Sequence, residues 1–149
     1  MKASLLIPRF LRRALQLAGR PTVQKDAALS VSAHLREIRR AGEENGRHYS
    51  DTPEEVKRLK RAGHYEEAIA LLLKCVDLTE AEAQHAGGDW GVAPWYYEQL
   101  AILFRKQKRF KDEVAILERY QRQPKATGSK PAKLAERLNK AKTLTKEKG

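Results

Sequence analysis

One cysteine, Cys75, is all the thiol chemistry this chain of 149 residues carries. A single thiol cannot close an intrachain disulfide or supply a cysteine-rich metal centre, so a reducing compartment is expected and the cytoplasm is the natural assignment. No apolar run approaches the roughly 18 residues needed to cross a bilayer, and Leu5-Leu6-Ile7 is cut at once by Pro8-Arg9. No run of period-2 alternation is long enough to argue for a sheet. Catalytic patterns are equally scarce. His34, His48, His64 and His85 have no metal-ligand spacing and read as surface residues, and there is no H-E-x-x-H, phosphate-binding glycine loop or strand-linked nucleophile. The carboxylate pairs Glu54-Glu55 and Glu66-Glu67 are adjacent in sequence and cannot face each other on a helix. No enzyme, metal or cofactor is therefore expected.

What is present is positive charge, unevenly placed. Thirty Lys and Arg face nineteen Asp and Glu, for a net +11, with 41% hydrophobic residues. Residues 1–25 hold six basic residues and no acid, residues 26–92 nine basic against thirteen acidic, and residues 93–149 fifteen against six. Two basic ends flank a slightly acidic middle. The length suits one domain.

Helix signals dominate. A first helix is expected over about Pro8–Ala18, cationic and amphipathic, with Gly19 leaving it; it is expected to pack on the domain, with an anionic membrane surface as the other use of such a face. A second is expected over about Asp26–Ala41, with Ala28, Val31, Leu35 and Ile38 inward, followed by a polar loop from Gly42 to His48. Thr52-Pro53-Glu54-Glu55 reads as a sharp start, with Thr52 as cap and Glu55 at the capping-box position, for a helix ending near Ala62-Gly63. Further helices are expected from Tyr65 to about Gln84, from Pro94 to 107, from Phe110 to Gln123 and over 130–146, with the glycine-rich Gly87–Gly91 between the first two.

The stretch from Val56 to Leu72 answers that from Leu100 to Leu117. Leu59 aligns with Phe104, Tyr65 with Phe110, Ile69 with Val114 and Leu72 with Leu117. In each unit an aromatic just past the turn is expected to wedge between two antiparallel helices. Gly63, Tyr65, Ala68 and Cys75 in one unit, and Tyr97, Leu100, Ala101, Phe104, Phe110 and Pro124 in the other, resemble the tetratricopeptide-repeat (TPR) family over residues 53–124, about half the chain. The departures are an offset of 45 rather than about 34 residues, Lys108 in place of the turn glycine, and Glu113 where the family commonly has alanine. Two units fall short of the three such arrays generally need. The expected fold is thus all-α: a short right-handed TPR-like solenoid in one domain, with an N-terminal helical pair and loop in 1–50, hairpins in 53–124 and a capping helix in 130–146. Self-association is the other way to cover an end.

The resemblance implies a non-enzymatic scaffold that binds a protein or peptide, and the positive charge would suit an acidic one. First-helix residues Lys57, Arg61, Glu98 and Arg105 are candidates for the partner face, and Trp90, Trp95 and Tyr96 for aromatic contacts, while Tyr97 and Cys75 read as core. The alternative is nucleic-acid binding through Arg105, Lys106, Lys108, Arg109 and Lys111, five cations in eight positions around a helix turn.

Overall fold

A computed structural model describes residues 21–148. The expected helix over Pro8–Ala18 lies outside the described residues. Within them the chain is all-α apart from one minimal hairpin. The elements are α1 (Pro21–Ala41), β1 (Glu43–Glu44), β2 (Arg47–His48), a 3-10 turn (Tyr49–Asp51), α2 (Pro53–Arg61), α3 (Tyr65–His85), α4 (Pro94–Lys106), α5 (Phe110–Gln121) and α6 (Lys130–Lys148).

Each helix packs on the next from α2 to α6, and α1 lies on α3. Short turns make α2/α3 and α4/α5 helical hairpins. Their shared core contains Leu72, Val76, Tyr97, Leu100, Leu117 and Tyr120, all with no solvent exposure. α6 closes it with Leu134, Leu138 and Ala141. Of the face expected on α1, only Ile38 is buried; Val31 and Leu35 are half-buried and Ala28 is exposed.

The two hairpin turns are built alike. After α2, Gly63 N–H donates to Lys60 O (3.2 Å) and His64 N–H to Leu59 O (2.9 Å). After α4, Lys108 N–H donates to Arg105 O (3.0 Å) and Arg109 N–H to Phe104 O (2.8 Å). This is the Schellman pattern, which needs a left-handed residue just past the helix. Gly63 (φ 76°) and Lys108 (φ 59°) fill that position. The offset of 45 aligned from the sequence therefore holds atom by atom at the turns.

Three expectations are corrected. The stretch from Gly42 to His48 is not an open loop: Asn45 (φ 53°) and Gly46 (φ 75°) make a two-residue turn that pairs Glu43 with His48 and Glu44 with Arg47. Asn-Gly favours that turn because both central residues must take positive φ. Thr52 is not a side-chain cap. The preceding 3-10 turn leaves it helical (φ −97°, ψ −15°) rather than extended, and its hydroxyl donates to Tyr49 O (2.7 Å) beside Cys75 Sγ (3.2 Å). Glu55 correspondingly pairs with Arg47. Phe110, finally, is only half-buried and stands outside the main apolar cluster, whereas its counterpart Tyr65 packs against it.

The glycine-rich insertion is held in place. Val92 is fully buried, its N–H donates to Pro124 O (3.0 Å), and Ala93 N–H donates to Thr79 Oγ1 (2.9 Å).

Candidate functional site

The basic run between α4 and α5 does not form one open patch. Arg105 turns inward, its Nε 2.9 Å from Oε2 of Glu113, and Arg137 of α6 approaches the other carboxylate oxygen at 3.1 Å. Glu113 is fully buried, so this carboxylate bridges two guanidiniums inside the helix junction. Glu113 is thus a structural ion-pair centre. Lys106 lies 4.6 Å over the Tyr65 ring. Arg109 pairs with Asp112 (2.7 Å) and Glu66 (3.5 Å) and covers Phe104. Of the five expected polyanion contacts, Lys106, Lys108 and Lys111 stand exposed with no ion-pair partner among the described residues; Lys106 lies over a ring, which leaves Lys108 and Lys111.

Those two lysines border a cavity of about 320 Å³ at the start of α5, with Arg109, Phe110 and Asp112 on the same side and Thr145 and Lys148 of α6 opposite. Lys148 Nζ sits 5.3 Å over the Phe110 ring. No sequence signal near the turn points to Lys148, which is brought in only by the packing of α6 on α5. The N-terminus of α5 has no side-chain cap, so N–H groups of its first turn are left without helical partners beside this cavity.

The expected partner face divides in the same way. Lys57 and Arg61 are exposed, Lys57 pairing only with Glu54 (2.6 Å), which holds that carboxyl below its usual range. Glu98 is tied to Lys130 and Arg105 to Glu113, so neither is free for a partner. Lys60, overlooked in the sequence, reaches Gln99 of α4; burial and the nearby charge of Lys106 depress its pKa. Trp90 and Trp95 are half-buried, Trp95 meeting Tyr96 edge-on at 5.1 Å. Tyr96 is corrected from contact residue to core: it is 4% exposed and its hydroxyl donates to Tyr49 O (2.8 Å), anchoring the 3-10 turn.

Two other clusters are structural. His48 is buried, contrary to the expectation of surface histidines, with Nε2 3.0 Å from Glu82 and Nδ1 2.7 Å from Ser50 Oγ, while Tyr49 donates to the second oxygen of Glu82. This fastens the hairpin strand and 3-10 turn to α3. Arg119 of α5 bridges Asp77 and Glu80 of α3, and Glu80 also accepts from Tyr97 (2.8 Å). Cys75 is 1% exposed and burial raises its thiol pKa, which suits a packed residue rather than a nucleophile. Among the described residues no cluster of His, Cys, Asp and Glu is arranged to hold a metal, and no helix is long and apolar enough to cross a membrane.

Comparison with known proteins finds no matching family model, no matching curated protein and no matching solved structure.

Proposed function

We propose that this chain is a non-enzymatic, divergent TPR-like scaffold that binds a protein or peptide partner of acidic character. The observation that carries the reading is the equivalence of the two hairpin turns, Leu59–His64 and Phe104–Arg109, hydrogen bond for hydrogen bond at an offset of 45 residues. Stacked hairpins leave the outward sides of their helices free for a partner. Here Lys57 and Arg61 on α2, and Lys108 and Lys111 at the second turn, offer exposed cations to it. A continuous track for a nucleic-acid backbone fits less well, since Arg105, Lys106 and Arg109 are engaged within the molecule.

Affinity capture on the full chain, with and without nuclease, tests this. A protein partner retained after nuclease treatment and weakened by charge reversal at Lys57 and Arg61, or at Lys108 and Lys111, is the expected result. Retention of nucleic acid alone, with affinity falling steeply as salt rises, would replace the scaffold reading with the nucleic-acid one.

A further inference from the structure

We propose that the cavity at the start of α5 binds a phosphate monoester dianion, carried by a phosphorylated side chain of the partner. The source of the ligand rests on the scaffold reading above; the chemistry of the site does not.

Lys108 in the turn, Lys111 at the start of α5 and Lys148 near the end of α6 line this cavity. None of the three has a carboxylate partner among the described residues, whereas Lys140 and Lys142 on the same helix as Lys148 pair with Glu136 and Glu118. An anion seated in the cavity would be attracted by all three ammonium groups.

The donor set selects the anion. A carboxylate is best read by the planar fork of arginine, but Arg109, the guanidinium at this cavity, is engaged with Asp112 and Glu66. The free cations are lysines, point charges with three rotatable donors each, which suit the tetrahedral oxygens and double charge of a phosphate ester. The uncapped first turn of the twelve-residue α5 adds N–H donors and the positive end of its dipole on the same side. The charge of Asp112 is balanced by its bond to Arg109. A cavity of about 320 Å³ exceeds a phosphoryl group and leaves room for the residue that carries it, with the half-buried Phe110 ring as an apolar wall.

The test is an amide NMR titration of the full chain with N-acetyl-phosphoserine amide, N-acetyl-glutamate amide and inorganic phosphate. Phosphoserine is expected to move the amides of Phe110, Lys111, Asp112 and Lys148. Its binding is expected to strengthen from pH 5 to pH 7 as the ester takes its second charge near pH 6. Lys111→Gln with Lys148→Gln, both at exposed positions, is expected to weaken binding by about tenfold or more while the other amides stay in place. Equal binding of the glutamate amide, or undiminished binding in the double variant, would overturn the site. Inorganic phosphate binding as tightly as phosphoserine would overturn its assignment to a phosphorylated side chain. Loss of partner capture with these shifts intact removes the scaffold reading alone; capture without the shifts removes the phosphate site alone.

Discussion

Glu113 of α5 holds Arg137 of α6 at 3.1 Å from a position with no solvent exposure, while its other oxygen holds Arg105 of α4. One carboxylate thereby joins three helices. Glu113→Ala leaves two guanidiniums facing an empty apolar site and is expected to cost about 3–5 kcal/mol. Arg137→Ala is expected to cost less, about 1–2 kcal/mol, because Arg105 still neutralises Glu113. Urea unfolding measures both, and near-equal costs would show that the bridge does not act as a unit.

The two turns predict opposite responses to glycine. Lys108 holds a left-handed conformation that costs an L-residue about 1–2 kcal/mol, so Lys108→Gly is expected to raise stability by about 0.5–1 kcal/mol after the greater entropy of the unfolded glycine chain is subtracted. Gly63→Ala is expected to lower it by about 1 kcal/mol through backbone strain alone, since a Cβ there meets nothing within 4 Å. Thermal unfolding of the two variants checks the pair, and a destabilising Lys108→Gly would refute the strain.

Gly91 is required by space. A Cβ would lie 1.9 Å from Ala126 N and 2.2 Å from the Lys125 carbonyl carbon, both backbone atoms. Gly91→Ala is expected to push the insertion away from residues 124–126 at a cost of about 1–3 kcal/mol. Faster hydrogen exchange at the Val92 amide, which donates to Pro124 O, would report that separation, and unchanged exchange would contradict it.

Alkaline pH should loosen the core. Burial raises the hydroxyl pKa of Tyr96 from 10.0 to about 12, and burial likewise raises those of Tyr49, Tyr97 and Tyr120. A folded-state pKa above the unfolded one means that the Tyr96 contribution is complete below pH 10 and is lost between pH 10 and about 12. Denaturant midpoints measured across that window are expected to fall, and to fall less steeply in Tyr96→Phe. A flat profile would contradict the burial of these hydroxyls.

The positions of α2 to α6 are legible in the sequence because each is a local matter, whereas α1 starts at Pro21 rather than near Asp26. Pro53 and Pro94 open helices, Gly63 and Gly87 end them, and apolar spacing identifies the buried side of α3 and α4. Asn45-Gly46 was equally local and announced the hairpin that a reading by polarity took for a loop. Thr52 was misread because its backbone angles are set by the 3-10 turn before it, whose Tyr49 is fastened to Glu82, 33 residues away.

The candidate site was legible only as a density of charge. Five cations in eight residues can be counted along the chain, but which of them face solvent depends on where Glu66, Tyr65, Glu113 and Arg137 come to lie. Periodicity, capping and turn chemistry act within a few residues, so they determined α2 to α6 and the offset of 45 between the two hairpins. Ion pairing and cavity formation act across space. Tertiary packing therefore decided that Arg105 became a buried tie, that Tyr96 became an anchor, and that Lys148 joined Lys108 and Lys111 around Phe110.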